Sequence, residues 1–229
     1  MDKALVLLSG GLDSAVTLAL AIKTHGKKNV KGLCIYYGQR HKKEIFHAEE
    51  LAIHYGIPLR ELDLSPIFFD NRCSLLSSSD QEIPEGEYAS LHNKKHGAIS
   101  TYVPFRNGLF LSVAASIALQ EDCSFIYYGI HADEGPESAY PDTSVSFHTA
   151  ISASIEEGSG HQVKLVAPFV LSTKSEVVKK GIELKVPFEK TWSCYNDVEK
   201  PCLHCPTCLD RQKAFEANGI EDPALKRYQ

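Results

Sequence analysis

No apolar run in this chain is long enough to cross a membrane or to form the core of a secretion signal. The best candidate, Ala4-Leu5-Val6-Leu7-Leu8, stops at Ser9-Gly10-Gly11, and a second stretch, 113–119, ends at Gln120-Glu121-Asp122. The expected location is therefore cytoplasmic, with no membrane partner. A basic excess is also missing: 24 Lys and Arg against 29 Asp and Glu leave a net charge of -5. Proteins that neutralise many phosphates of a duplex or a transfer RNA carry the opposite balance, so nucleic acid is not expected as the main partner. Internal repeats and low-complexity linkers are absent. With 43% hydrophobic and 23% charged residues, the composition argues against disorder, collagen and coiled coil.

A disulfide framework is lacking as well. Seven cysteines is an odd number; four crowd the C-terminal end (Cys194, Cys202, Cys205, Cys208) and three are scattered (Cys34, Cys73, Cys123). In a reducing compartment that distribution points to a metal site plus buried thiols.

What is present is a chain of 229 residues in which strand and helix signals alternate. Such a chain can bury roughly 70–75% of its unfolded surface, enough for one sizeable core. Strands are expected at 4–8, 32–37, 59–64, 125–130 and 164–167, and helices at 15–25, 42–55, 107–120, 143–157 and 173–184. Thr173-Lys174-Ser175-Glu176 fits a capping box. The alternation predicts an α/β fold, a doubly wound parallel sheet with all strand C-termini on one edge, where ligands bind. Three loops fall at such ends: 9–14, 38–41 and 131–142. Two regions break the alternation. Residues 65–104 are rich in Ser, Asp, Glu and Asn and are expected to be a flexible cover over the site. Residues 191–229 carry the clustered cysteines and are expected to be an appendage of the same domain, with 1–190 as the core.

The first loop, Ser9-Gly10-Gly11-Leu12-Asp13-Ser14, joins a buried strand to a helix. Two glycines let the backbone turn sharply, and the helix N-terminus aims free N–H groups at the turn, which makes an anion site. A plain strand–helix turn with an Asp cap would use the same glycines. The loop lacks the lysine of the GxxxxGK[ST] pattern, so it is not a Walker site. Asp13 would repel phosphate unless it holds a cation, which Mg²⁺ carried by a nucleotide would provide. The cysteines, spaced Cys194-x7-Cys202-x2-Cys205-x2-Cys208, supply four thiolates, enough to close a tetrahedral zinc site. An iron–sulfur cluster is the competing occupant; it is disfavoured because no cysteine follows three residues after Cys208. His204 lies between ligands and is read as an exposed neighbour. Zinc here would fold a tail poor in apolar residues.

The S-G-G-x-D-S string matches the pyrophosphate loop of the N-type ATP pyrophosphatases. Further blocks narrow the resemblance: Tyr37-Gly38-Gln39-Arg40-His41, Val103-Pro104-Phe105-Arg106-Asn107, Tyr140-Pro141-Asp142, and Thr191-Trp192-Ser193-Cys194-Tyr195 leading into the remaining cysteines. Together, in order and over nearly the whole chain, they resemble the 7-cyano-7-deazaguanine synthase family. The resemblance implies an adenine nucleotide alpha hydrolase-like, Rossmann-like fold and a carbon–nitrogen ligase. It implies that the carboxylate of 7-carboxy-7-deazaguanine is adenylated by ATP, converted by ammonia to an amide and then to the nitrile, with AMP and pyrophosphate released. Free ammonium, structural Zn²⁺, ATP with Mg²⁺ and a homodimer belong to the same implication.

The resemblance also implies site residues. Ser9, Asp13, Ser14, Arg106 and Lys174 are the catalytic candidates. Leu8, Ser9, Gly10, Gly11, Leu12, Asp13, Ser14, Ala15, Val16, Thr17, Leu18 and Arg40 are expected around the nucleotide, and Arg106, Asn107, Tyr140 and Asp142 around the acceptor, with Asp142 against its guanine-like edge. His131, Asp133 and Glu134 are weaker candidates for Mg²⁺ or ammonia. The family block Tyr-Pro-Asp-Cys-Arg continues here as Thr143-Ser144. That departure leaves open a relative that stops at the amide or passes the acyl group to another amine, including one on a protein. A transfer-RNA thiolating enzyme and a non-catalytic nucleotide sensor are the remaining alternatives; the acidic balance weighs against the first, and the intact Ser9, Asp13 and Ser14 against the second.

Overall fold

The structure is a computed structural model. It describes residues 2–40, 42–69, 72–91, 99–132, 140–196 and 198–227. Five strands, β1 (Lys3–Leu7), β2 (Val30–Tyr36), β3 (Leu59–Asp63), β4 (Cys123–Tyr127) and β5 (Lys164–Val166), pair in parallel in the order β3-β2-β1-β4-β5. The helices are α1 (Leu12–His25), α2 (Lys43–Tyr55), α3 (Tyr88–Leu91), α4 (Arg106–Gln120), α5 (Val145–Gly158), α6 (Lys174–Glu183), α7 (Pro206–Glu216) and α8 (Pro223–Lys226). None is long and apolar enough to cross a membrane.

β1 is the middle strand, which is why its sequence is a continuous apolar run rather than an alternation. Successive side chains of a strand point to opposite faces. Val6 joins Val16 and Leu18 of α1, Leu51 of α2, Val177 of α6 and Phe215 of α7 on one face. Leu5 joins Leu111 and Ile117 of α4, Ile126 of β4 and Ile155 of α5 on the other. The sheet is thus covered on both sides, as the alternation predicts. From β1 the chain winds outward to β2 and β3, then returns to the far side of β1 as β4. The loops leaving β1 and β4 therefore diverge, and a crevice opens between them at the strand C-termini.

The five strands and five helices expected from the sequence fall where the periodicity puts them, with shifts of a few residues at the ends. Helix α1 starts three residues earlier than expected, at Leu12, because Gly11, extended at φ -76° and ψ 165°, is its cap. Asp13 and Ser14 consequently sit in the first helical turn, not in the loop. The capping box at the start of α6 forms as expected: Glu176 N donates to Thr173 Oγ1 at 3.3 Å and Thr173 N donates to Glu176 Oε2 at 2.8 Å.

Residues 65–104, expected to be a flexible cover over the site, contain α3 and a short helical turn, Ser65–Ile67. Cys73, Leu75, Leu76 and Val103 of this segment pack with Tyr37 into a small apolar cluster of their own. The C-terminal segment also departs from its sequence reading. It is not short of apolar anchors: Trp192 and Phe215 are among the largest fully buried side chains. Helix α7 escapes a periodicity search because its inward positions are Thr207, Cys208, Arg211, Ala214 and Phe215, of which only the last two read as plainly apolar. Arg211 is buried but fully paired. It grips both carboxylate oxygens of Asp222, at 2.6 and 2.9 Å, and also donates to Thr191 Oγ1, Ser193 Oγ and the Phe188 carbonyl. These bonds lock 188–193, α7 and the start of α8 together. The Trp192 N–H then donates to the Gly10 carbonyl at 3.0 Å, which ties the C-terminal segment to the glycine loop.

Candidate active site and metal cluster

A cavity of about 260 Å³ occupies the crevice between the loops after β1 and β4. Its wall includes Ser9, Gly11, Asp13 and Ser14 from the loop and first turn of α1, Arg106 and Asn107 from α4, Tyr140 and Asp142, and Lys174 from α6. Leu8 and Leu12 line it as well. The catalytic and acceptor candidates named from the sequence are therefore brought to one cleft.

The glycine loop is shaped by its hydroxyls. Ser9 Oγ and Ser14 Oγ are 3.1 Å apart, Gly11 N donates to Ser9 Oγ at 3.2 Å, and Ser14 Oγ donates to the Gly11 carbonyl at 3.0 Å. Gly10 has φ +85°, and a Cβ there would lie 2.0 Å from the Glu44 carbonyl oxygen of α2, so only glycine fits. Gly129, just after β4, supports the loop from the other side. A Cβ at Gly129 would lie 2.8 Å from the Asp13 backbone carbonyl and 2.9 Å from Ser14 N. Because those atoms are backbone, Gly129→Ala must push the loop out of place. The expected result is a loss of ATP affinity of about 10–100-fold by titration calorimetry, with little change in circular dichroism; unchanged affinity would show that the loop tolerates the shift.

Asp13 and Lys174 form the charged centre. Lys174 Nζ donates to Asp13 Oδ2 at 3.0 Å, lies 3.4 Å from Asp210 Oδ2 of α7, and lies 3.4 Å from His131 Nε2. Burial works to raise the Asp13 carboxyl, but the charges of Lys174, His131 and Arg211 outweigh it and hold it below its ordinary 3.8. Burial likewise opposes the charge on Lys174, and Asp13 with Asp210 reverses this and keeps the ammonium protonated. Asp13 Oδ1 is buried with no partner among the described residues. A carboxylate oxygen left so is chemically able to hold a cation.

At the α4 side, Phe105 takes the left-handed conformation at φ 54°, an uncommon state for a bulky residue. The turn sends Arg106 over the rings of Tyr37 and Phe110, at 5.1 and 5.9 Å, with Nη1 donating to Tyr37 Oη at 3.2 Å. Asp142 is buried, and its Oδ2 accepts the Asn107 N–H at 2.8 Å, so this carboxylate also caps α4. Burial raises the Asp142 carboxyl, and the Asn107 hydrogen bond and Arg106 oppose the rise. One of its oxygens is thus already engaged. The Thr143-Ser144 departure is absorbed locally: Thr143 Oγ1 donates to the Tyr140 carbonyl, and Ser144 caps α5 by accepting the Phe147 N–H.

Several expected residues are not brought to the cleft. Arg40 Nε donates to the Leu76 carbonyl at 3.1 Å and its guanidinium also holds the Ser79 carbonyl, so it fastens residues 76–79 and is not part of the cavity wall. Ala15, Val16 and Leu18 are wholly buried in the core under the loop. Thr17 is buried too, with Oγ1 donating to the Asp13 carbonyl at 2.8 Å. These residues support the loop and do not line the cleft. His41, Asp133 and Glu134 lie outside the described residues. Sequence reasoning missed Asp210, whose only signal is an acid two residues beyond the last cysteine. It also gave no role to Tyr88 and Tyr195. Their hydroxyls are 2.9 Å apart, and Tyr140 Oη, 3.2 Å from Tyr195 Oη and 2.8 Å from Thr101 Oγ1, extends the chain along the cavity wall.

The sulfurs of Cys194, Cys202, Cys205 and Cys208 all lie within 4.8 Å of one another. Four thiolates at about 2.3 Å from a tetrahedral ion would be about 3.8 Å apart, so the set needs little adjustment to hold a metal. Hydrogen bonds with Cys194 and Cys208 pull the Cys205 thiol down and favour its thiolate. Cys205 caps α7 and Cys208 lies in its first turn. His204 is exposed, 3.4 Å from Glu85, and is not one of the grouped metal donors.

The model of the family described as queuosine biosynthesis protein QueC matches residues 3–219. Proteins named 7-cyano-7-deazaguanine synthase are similar over nearly full length. The one from Archaeoglobus fulgidus is 36% identical over 97% of this chain and 90% of its own. The one from Pseudoalteromonas atlantica is 35% identical over 97% and 98%, and that from Aquifex aeolicus 39% over 93% and 96%. With the glycine loop, the Arg106–Asp142 wall and the four-cysteine cluster in one fold, this chain belongs to the QueC family.

Proposed function

We propose that this protein adenylates the carboxylate of 7-carboxy-7-deazaguanine with ATP, and uses ammonia to form the amide and then the nitrile, 7-cyano-7-deazaguanine. The observation that carries this is the convergence of the glycine loop, Asp13, Lys174 and Arg106 on one cleft at the switch point of the sheet. A carboxylate does not react with ammonia because oxide is a poor leaving group. Attack of its oxygen on the α-phosphate releases pyrophosphate and turns that oxygen into part of AMP, which ammonia can displace. The same activation of the amide oxygen lets the second AMP leave with formation of the carbon–nitrogen triple bond.

The chain's residues serve this chemistry by position and charge. The N–H groups of the loop and the α1 N-terminus receive the departing pyrophosphate. Lys174 presents a fixed ammonium, and Arg106, held by Tyr37, offers a planar cation to a carboxylate. Asp142 and Tyr140 stand beside Arg106 on the acceptor wall. Asp13 Oδ1 fits the magnesium that accompanies ATP; that ion neutralises phosphate charge. Cys194, Cys202, Cys205 and Cys208 fit zinc with no open position, a structural ion that fastens the C-terminal segment.

The test is mass spectrometry of the products from ATP, 7-carboxy-7-deazaguanine and ammonium chloride. The nitrile is expected with ammonium alone, without glutamine. Accumulation of amide with no nitrile, or of an acylated protein, would overturn the final step.

A further inference from the structure

Asp210 is an acidic group of the cleft with no part in the mechanism above. Asp210 stands on α7, two residues beyond Cys208 and next to the buried Arg211, and lines the cavity. Its Oδ2 is 3.4 Å from Lys174 Nζ, which also contacts Asp13 Oδ2 at 3.0 Å. Lys174 is the first residue of α6, where the helix dipole repels a cation, and its side chain is only 8% exposed. Its Nζ is thus held between two carboxylates, Asp13 from α1 and Asp210 from α7, with His131 Nε2 at 3.4 Å.

A second carboxylate on Lys174 makes sense if Asp13 has a second duty. Its Oδ1 is buried with no partner among the described residues. When a nucleotide-bound cation draws on that carboxylate, Asp210 remains as the acidic contact of Lys174. We propose that Asp210 is a positioning residue that holds the Lys174 side chain in place in the cleft while nucleotide and cation engage Asp13. Simple fastening of α6 to α7 does not require Asp210. Asn218 Nδ2 already donates to the Ser175 carbonyl at 2.9 Å, and Val177 and Phe215 pack in the same core. The placement of Asp210 is set instead by its neighbours in the chain, one in the cysteine cluster and one in the Asp222 pairing.

This inference rests on the proposed adenylation, and the test separates the two. Asp210→Asn keeps the shape and removes the charge. In the metal-loaded protein it is expected to lower kcat for AMP release about 10–100-fold, as loss of an outer-shell orienting group does. The KM for 7-carboxy-7-deazaguanine should stay within about threefold, because acceptor binding is untouched. Metal content and melting temperature should match the wild type. A kcat within about threefold of wild type, a loss confined to that KM, or a loss matched by missing metal or unfolded protein overturns the assignment. If wild-type protein releases no AMP at all, the adenylation reading fails on its own. Asp210 is then judged by MgATP titration: affinity about tenfold weaker in Asp210→Asn supports the positioning role, and equal affinity overturns it.

Discussion

Asp13→Ala is expected to lower AMP release by about 10³-fold, the scale on which a pre-placed electrostatic group acts in a water-poor site. Two functions disappear at once. The buried Oδ1 that fits the magnesium of ATP is gone, and so is the carboxylate 3.0 Å from Lys174. The fold should survive, since Asp210 still faces Lys174 and the loop is shaped by Ser9, Ser14 and the glycines. Circular dichroism should be native while the AMP signal by chromatography falls to background. Asp13→Asn, which keeps a hydrogen-bonding side chain, should be nearly as inactive, because the missing element is charge. Activity within about tenfold of wild type would remove Asp13 from the chemistry. The pH dependence has a defined sign. Asp13 is held below 3.8 in the folded protein, so its contribution to stability is present above that value. That contribution is lost only as the pH falls through the lower folded value. An acid limb of activity near neutrality therefore belongs to another group.

Cys205→Ala should have the other large effect, on folding. Structural zinc contributes about 10–16 kcal/mol in small domains, comparable to the whole net stability of a typical protein at about 5–15 kcal/mol. Cys205 is also wholly buried at the start of α7, the helix that carries Arg211 and Phe215 into the core. The variant is expected to lose the metal, one equivalent per chain in the wild type by elemental analysis, and to be recovered as insoluble protein. Soluble Cys205→Ala with wild-type melting would show that the cluster is dispensable for folding. Iron in place of zinc in the wild type, with visible absorbance, would reassign the ion but not the folding role.

The parts of this molecule that were legible in the sequence are those whose physics is local. A buried strand, two glycines and the hydroxyls of Ser9 and Ser14 specify a tight strand-to-helix loop within a few residues, and Thr173 and Glu176 specify a helix start. The spacing of the four cysteines is enough to expect their sulfurs together, and they do gather within 4.8 Å of one another, a set that could hold a metal. Arg40 looks useful in one dimension as a cation near the glycine loop, whereas its guanidinium spans the turn to the carbonyls of Leu76 and Ser79, a tertiary contact that the sequence does not show. Asp210 and Tyr88 were invisible for the complementary reason. Each reaches the cleft only through tertiary packing: Asp210 through α7, and Tyr88 through a segment whose Gly86 N–H donates to the His204 carbonyl at 3.1 Å and whose Glu87 pairs with Lys213 at 2.7 Å. Helix α7 itself carries a buried stripe made of a thiol, a guanidinium and two apolar side chains, a pattern that hydrophobic periodicity does not register.

The most direct measurement follows the acid's own oxygens. 7-Carboxy-7-deazaguanine labelled with oxygen-18 in the carboxylate is incubated with ATP, ammonium and the protein, and the nucleotide products are weighed by mass spectrometry. Adenylation at the carboxylate and then at the amide predicts two AMP for each nitrile, each carrying one labelled oxygen, with unlabelled pyrophosphate. Label in inorganic phosphate, or ADP as the nucleotide product, would contradict it.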